Sequence, residues 1–582
     1  MKRRFLLQSF TEEVKRKVPC TIFASVLILA LFAAGCSRME EVKTKDSVTT
    51  VMLAEVPETA DLGASGRMSK LVMKREYQPS TYQSPLQPAS PRDFNTEAYD
   101  RVNENRFLEV LTNPQSTFSI DVDTASYANV RRFINGGNLP PPDAVRIEEM
   151  INYFTYNYPQ PDGNRPFSFT SEVTDTPWNE GSKLLLIGLQ GVKITTEKLP
   201  PANLVFLIDV SGSMEQENKL PLLIKSFKLL VSQLRKKDTV AIVVYAGQAG
   251  VVLPATSGAD KAKILEALES LRAGGSTAGG EGIQLAYRIA ADNFIRNGNN
   301  RVILATDGDF NVGSSSDAEM ERLIAQKRRE GVFLSVLGFG MGNYKDAKMQ
   351  KLADRGNGNY AYIDTLLEAR KVLVSQFGGT LLTIAKDVKL QVEFNPAKVK
   401  SYRLIGYEKR MLRPEDFADD TKDAGELGSG HTVTALYEIV PSDTVTSAKQ
   451  DLTYQTTTVK SDAKGKNELA TIRFRYKNPD GETSREIVKK IPATMVAIRN
   501  AGENIRFAAA VAEWGMILRD SEYKGSANYA QVKKLALKAK GSDIHGYRAQ
   551  FIRLVEMAEL LDKRSSTPVI SEPRQSGNVM VR

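Results

Sequence analysis

Oxygen-bearing side chains follow two apolar stretches of the sequence. The run LVFLI ends in Asp209, and Ser211 and Ser213 follow at two-residue spacing. The run RVILAT ends in Asp307, and Thr277 lies between the two runs in the glycine-rich stretch GGSTAGGEG. All five side chains offer oxygen, the ligand atom that hard cations such as Mg²⁺ take. Together they predict a metal site, provided that the fold brings them to one place.

Alternating strand and helix patterns between residues 203 and 380 predict a fold that would bring these five side chains together. LVFLID, TVAIVVYAG, RVILATD and VFLSVLGFG are apolar strand patterns, and helical patterns such as KLPLLIKSFKLLVSQLRKK separate them. This alternation predicts a doubly wound, Rossmann-like α/β domain with a mostly parallel sheet. Ligands of such sheets bind beyond the carboxyl ends of the strands, where Asp209 and Asp307 are expected.

Nucleophilic and phosphate-binding chemistry have less support in the sequence. A serine nucleophile needs a base, and the sequence interpretation identifies no histidine or lysine near Ser211 and Ser213. The glycine-rich stretch lacks the lysine of the phosphate-binding pattern G-x-x-x-x-G-K-[ST]. We therefore expect a binding site rather than an active site.

Three further polar groups are interpreted as structural. FSIDVDTASY carries Asp121, Asp123 and Ser126 after a strand pattern, but an aspartate stands where a first serine would be needed. We predict a turn or cap there. The chain has two histidines, His431 and His545, and they lie far apart in sequence. This gives little support to a histidine-based zinc site or a catalytic triad.

The order of these motifs resembles the metal-ion-dependent adhesion site (MIDAS) of von Willebrand factor type A domains. D-x-S-x-S, a threonine in a glycine-rich loop and the aspartate of TDG all occur, within residues 203–380. The resemblance implies that Ser211, Ser213 and Thr277 ligate Mg²⁺ directly, with Mn²⁺ or Ca²⁺ as alternatives. It assigns Asp209 and Asp307 as the accompanying carboxylates. A metal held mainly by neutral hydroxyls keeps positive charge, so a protein partner could complete its shell with an Asp or Glu.

The flanking sequence resembles a bacterial YfbK-like group of von Willebrand A lipoproteins. NRFLEVLTNPQSTFSIDVDTASYANVRRFI, PPPDAVRIEEMINYF and GHTVTALYE carry this resemblance. It fits an α+β amino-terminal region over 96–200 and a β-rich plus helical domain over 385–564. The polar composition of residues 565–582 predicts a disordered tail. Within the first region ENRFLEVL is predicted as a short helix.

The amino terminus has the layout of an export signal. A basic stretch and an apolar run end at Cys36, with Ala33, Ala34 and Gly35 before it. This resembles a bacterial lipobox, although Ala33 stands where the pattern usually has Leu. We predict a signal peptide over 1–35, lipidation of Cys36 and a disordered tether over 36–95. An uncleaved membrane anchor is the alternative.

Export would place the protein in the cell envelope, anchored by lipid to a membrane. The outer membrane is favoured, and the periplasmic or surface side stays open. The net charge of +9 is mild for 582 residues, and no basic cluster with interleaved aromatics predicts nucleic-acid binding. The leading hypothesis is a non-catalytic adhesion or protein-binding lipoprotein. A metal-assisted hydrolase with Asp307 as base, and a structural scaffold of an envelope complex, are the alternatives.

Overall fold

The folded part of the protein combines strands and helices throughout. The computed structural model describes residues 97–562 except 277–278, 309, 311–316, 343, 377, 380–381, 423, 443–457 and 480. Its strands are β1 (Leu108–Glu109), β2 (Gln115–Ser119), β3 (Phe167–Thr176), β4 (Asn179–Gly191), β5 (Ala202–Asp209), β6 (Thr239–Tyr245), β7 (Ala249–Ser257), β8 (Asn299–Thr306), β9 (Val332–Gly338), β10 (Tyr360–Tyr362), β11 (Thr383–Phe394), β12 (Val399–Ile405), β13 (Met411–Leu412), β14 (Gly425–Gly428), β15 (Thr432–Pro441), β16 (Glu468–Lys477) and β17 (Ser484–Pro492).

Helices occur between these strands and after the last of them. They are α1 (Ala125–Asn135), α2 (Ile147–Asn152), α3 (Leu220–Gln233), α4 (Lys261–Glu269), α5 (Gly279–Asp292), α6 (Asp317–Arg329), α7 (Asp346–Arg355), α8 (Leu366–Arg370), α9 (Ser461–Gly465), α10 (Glu503–Arg519), α11 (Tyr529–Lys538) and α12 (Tyr547–Leu561). A π-helical turn at Lys371–Ser375 continues α8, and a 3-10 turn at Gly212–Glu215 precedes α3.

The central domain is built on a sheet of strand order β10-β9-β8-β5-β6-β7. All its neighbouring strands are parallel except β7, which runs antiparallel to β6. Every residue of β5 is buried, because helices cover both faces of the sheet. Leu204, Phe206 and Ile208 belong to the apolar cluster of α3. Val205 and Leu207 belong to the cluster of α5. The predicted doubly wound α/β architecture is therefore confirmed.

The two flanking regions of the sequence share their sheets. One sheet has the order β1-β12-β15-β4-β3, and the other has the order β13-β2-β11-β16-β17, with β14 also paired to β11. β4 pairs with β15 with Leu186 opposite Leu436, and β2 pairs with β11 with Phe118 opposite Leu390. Apolar residues of both sheets form one core cluster. The predicted ranges 96–200 and 385–564 are therefore separate in sequence, but their strands share sheets and pack into one common core.

Buried ion pairs join the amino-terminal helices to the central domain. Arg146, just before α2, lies 2.6 Å from Asp346 of α7 and also contacts Glu149. Arg131 of α1 contacts Asp364 and lies 2.8 Å from Glu368 of α8. These side chains are nearly all withdrawn from solvent, so each charge depends on its partner.

Two local predictions have clear outcomes. ENRFLEVL is not a helix, and the helix prediction is wrong: Leu108–Glu109 pairs with Tyr402 and Ser401 of β12. So short a segment has little helical stability of its own, and the sheet edge competes successfully for it. Asp121 and Asp123 of FSIDVDTASY have a structural role, because both pair with Arg410. The predicted turn or cap is not formed: Thr124 precedes α1 and makes no side-chain capping bond.

The amino-terminal predictions fall outside the residues that the structure describes. This applies to the signal peptide, the tether and the lipidated Cys36. No helix among the described residues combines the length and the apolar character that crossing a membrane needs.

Candidate metal centre

The two predicted aspartates lie at the same edge of the central sheet. Asp209 is the last residue of β5, and Asp307 directly follows β8. These strands are parallel neighbours, with Ile208 opposite Ala305. The carboxyl ends of the two strands therefore bring the aspartates together, although many residues separate them in sequence. Thr277 lies outside the described residues, so its part in the site stays a prediction.

Hydrogen bonds from neutral groups hold the carboxylate of Asp209 in place. Its Oδ1 accepts from the Ser211 backbone N–H at 3.0 Å. Its Oδ2 accepts from Thr306 Oγ1 at 3.0 Å and from the Tyr245 hydroxyl at 3.2 Å. Asp209 is fully buried, so these bonds replace the hydrogen bonds that water would make to an exposed carboxylate.

The two serine hydroxyls converge beside this carboxylate. Ser211 Oγ and Ser213 Oγ are 3.1 Å apart, with Ser211 buried and Ser213 exposed. The turn that carries them is bonded to the glycine-rich loop, since Gly212 N–H donates to the Gly275 carbonyl at 3.0 Å. Gly275 has a φ of +82°, a left-handed conformation that favours glycine. The loop that leads to Thr277 is thus attached to the serine turn.

A lysine that the sequence interpretation missed occupies this edge. Lys219 Nζ lies 2.9 Å from Asp307 Oδ2 and 2.9 Å from the Ser213 carbonyl oxygen. The side chains of Lys219 and Asp307 are 4% and 0% exposed. The statement that no lysine lies near the serines is therefore wrong. Lys219 is six residues beyond Ser213, and the 3-10 turn at Gly212–Glu215 returns the chain toward the site.

The stem of this lysine passes beneath a glycine. Gly340 has a φ of +76°, and a Cβ there would lie 2.4 Å from Lys219 Cε. The close approach of backbone and side chain therefore requires glycine at this position. It also confines the ammonium to the neighbourhood of Asp307.

Burial sets the electrostatics of the edge. Withdrawal from water raises the pKa of the Asp209 carboxyl to about 6. Hydrogen bonds from Ser211 oppose this rise, and the nearby charge of Asp307 adds to it. A cation at the edge would favour the charged carboxylate and lower this pKa. Protons and cations therefore compete for the same group.

The side chains present fit a hard cation. Two hydroxyls and two carboxylates converge, and the Lys219 ammonium shows that the edge holds positive charge. Among the described residues no three His, Cys, Asp or Glu side chains form a metal-binding group, so a metal here would need the serine hydroxyls. Ser211 and Ser213 would hold it together with Asp209 and Asp307. Lys219 would then either lose its contact with Asp307 or share this carboxylate with the metal.

Catalysis has weaker geometric support. Lys219 Nζ donates to the backbone carbonyl of Ser213 and not to a serine hydroxyl. Asp307, the base that a hydrolase would need, already accepts from Lys219. In this arrangement the lysine contacts the serine loop and the carboxylate.

Three family models match successive parts of the chain. That of "von Willebrand factor" covers residues 93–186, and that of "von Willebrand factor type A domain" covers residues 203–376. The model described as "Uncharacterized protein YfbK, C-terminal" covers residues 379–561. The matches follow the same order as the amino-terminal region, the central domain and the carboxyl-terminal region.

The chain is also similar to individual proteins, to different extents. The chain is 47% identical to the Escherichia coli (strain K12) "Uncharacterized protein YfbK" over 471 residues, which are 80% of this chain and 81% of that protein. It is 28% identical to the Synechocystis protein sll0103 over 171 residues, covering 29% of this chain and 39% of that one. The solved structure "von Willebrand factor type A from Catenulispora acidiphila" is 17% identical, with 68% and 91% coverage and a TM-score of 0.38.

Proposed function

Because the chain belongs to the YfbK family of von Willebrand factor type A domain proteins, we propose that it binds a protein partner through a divalent cation. The cation is Mg²⁺, and it sits at the edge formed by β5 and β8. The observation that carries the proposal is the pair of serine hydroxyls, 3.1 Å apart, beside two buried carboxylates.

The ligand set explains why the site would bind a partner. Ser211 and Ser213 contribute neutral oxygens, so a bound cation keeps more of its charge than one surrounded by carboxylates. Ser213 is exposed, so this side of the site is open to another molecule. An Asp or Glu of the partner would complete the shell, which would make the contact dependent on both metal and carboxylate.

The proposed location is the cell envelope. The basic stretch, the apolar run and Cys36 support export and a lipid anchor, and residues 36–95 would separate the folded part from the membrane. We favour the outer membrane. A partner would then be another envelope or surface protein.

The test is capture of a partner from envelope extract by the full chain. Capture is expected in Mg²⁺, and it should be lost in EDTA and in the Ser213→Ala and Asp209→Asn variants. Ser213 is exposed, so its replacement should leave the fold intact. Ser232→Ala, an exposed serine on α3, is the matched control and should behave as wild type. Capture that persists both in EDTA and in Asp209→Asn would contradict the proposal.

Metal titration separates this proposal from its alternatives. A scaffold without a metal function predicts no heat of Mg²⁺ or Mn²⁺ binding in calorimetry. A metal-assisted hydrolase predicts turnover that Ser211→Ala abolishes. Metal binding without turnover, together with metal-dependent capture, is the result expected for a docking site.

A further inference from the structure

A cavity of about 900 Å³ lies between the central domain and the strands β13–β15. Its walls come from β8, the segment from α7 to β10, the π-helical turn and the loop after β2. His431 and His545, interpreted from sequence as structural, also line it. Cavities of this size hold small organic ligands in other proteins.

The lining of the cavity is predominantly cationic. Eight lysines and arginines line it, against four aspartates and glutamates. Three of those carboxylates, from Asp121, Asp123 and Asp354, are paired with the single guanidinium of Arg410. Four of the other lining cations pair with carboxylates outside the lining: Lys351 and Arg355 with Glu321, Lys371 with Glu368, and Lys409 with Asp100. Preference of the wall for an anion therefore depends on Arg301.

Arg301 of β8 is the cation on this wall that most needs a partner. The residue is only 3% exposed, and its hydrogen-bond partners are neutral: Nη1 donates to Ser335 Oγ at 2.7 Å, and Nε to Asn299 Oδ1 at 3.4 Å. Within the residues that the structure describes, Arg301 forms no ion pair, and its Nη2 makes no hydrogen bond. Burial lowers the pKa of Arg301 to about 10.

One carboxylate offsets this charge in part. Glu426 favours the charged form of Arg301, but no salt bridge joins the two side chains within the described residues. Its own oxygens accept from Asn357 Nδ2 at 2.5 Å and from Thr383 Oγ1 at 2.6 Å. Burying a guanidinium without a counterion is unfavourable, and an anion in the cavity would offset that cost.

We propose that this cavity binds a small organic anion whose carboxylate or phosphate group pairs with Arg301. The site is separate from the metal centre and independent of the proposed docking function. Arg301 lies opposite Leu204, five residues before Asp209 on β5, which corresponds to roughly 16 Å along the strand. Two different ligands would therefore be bound at opposite ends of the same sheet.

The test uses the full chain in EDTA, so that the metal centre does not contribute. Thermal unfolding and calorimetry are measured with inorganic phosphate and with citrate, at an ionic strength kept constant with NaCl. At least one anion is expected to raise the melting temperature of wild type in a saturable way. Arg301→Met should weaken the apparent affinity by about tenfold or more, as loss of a charge-assisted contact requires. Arg296→Met removes an exposed charge and should bind as wild type.

Three results would overturn the proposal. The first is that neither anion binds wild type, and the second is that Arg301→Met binds as well as wild type. The third is that Arg301→Met is strongly destabilised without anions while Arg301→Lys is not, since the charge would then be structural. Because Arg301 is remote from Asp209, metal-dependent capture should be unchanged in Arg301→Met. That measurement distinguishes failure here from failure of the docking function.

Discussion

Replacing Lys219 by methionine tests the electrostatics of the metal centre. The substitution removes the ammonium that lies 2.9 Å from Asp307, and both side chains are at most 4% exposed. Breaking a buried pair by removing one partner costs about 3–5 kcal/mol, against about 0–1 kcal/mol for an exposed pair. Methionine keeps most of the volume beneath Gly340, so loss of packing adds little. We expect a loss of about 3 kcal/mol or more in the free energy of unfolding, measured by urea denaturation in EDTA.

Metal should reverse much of that loss. If Mg²⁺ binds beside Asp307, it supplies the positive charge that the variant lacks. The free energy of unfolding of Lys219→Met should therefore recover in saturating Mg²⁺. Calorimetry should show Mg²⁺ binding the variant at least about tenfold more tightly than wild type, because no ammonium has to be displaced.

Lys225→Met is the matched control on helix α3. Its ammonium lies 3.8 Å from Glu217, and both side chains are largely exposed. The control should lose less than about 1 kcal/mol in either buffer. If Lys219→Met behaves like this control in EDTA, the ammonium is not buried against Asp307. If the loss is the same with and without Mg²⁺, the metal does not reach Asp307.

Three further predictions concern other buried positions. Arg146→Met removes the cation that faces Asp346, so the free energy of unfolding should fall by about 3–5 kcal/mol; a loss below about 1 kcal/mol in urea denaturation would contradict the ion pair. Burial raises the pKa of Glu513 to about 8 from 4.5, so the wild type loses stability as the pH rises between these values. Glu513→Gln should therefore match wild type near pH 4 and exceed it by up to about 4 kcal/mol above pH 8; equal stability at both pH values would refute this. Gly340→Ala places a Cβ against Lys219 at a left-handed φ and should cost at least about 1–2 kcal/mol, an effect expected to shrink in the Lys219→Met background.

The central domain could be predicted from sequence because its signals are local. Strands buried on both faces are continuous apolar runs, and the helices between them repeat with their own period. Asp209 and Asp307 each stand at the end of such a run, so their position at the carboxyl edge follows from the strand prediction. The two-residue spacing of Ser211 and Ser213 after Asp209 is also visible in the sequence, so these ligands could be predicted without knowledge of distant contacts.

The two sheets of the flanking regions could not be predicted in the same way. β4 pairs with β15, which lies far along the chain, and no local pattern specifies that Leu186 faces Leu436. The same applies to Leu108–Glu109, whose strand conformation comes from pairing with β12. Strand partners and register are decided by packing between segments, which a single sequence does not display.

The sequence by itself determined which oxygens are available at the end of β5 and that a second aspartate follows β8. Only the tertiary structure decided which charges meet them. Lys219 has the local pattern of a helix start, and its contact with Asp307 spans 88 residues of chain. Arg301 looks like an ordinary strand residue, and its burial without a carboxylate partner among the described residues emerges only in the packed fold. The sequence specifies which side chains can carry a charge. The free energy of each charge depends on its burial and its neighbours, which only the folded structure determines.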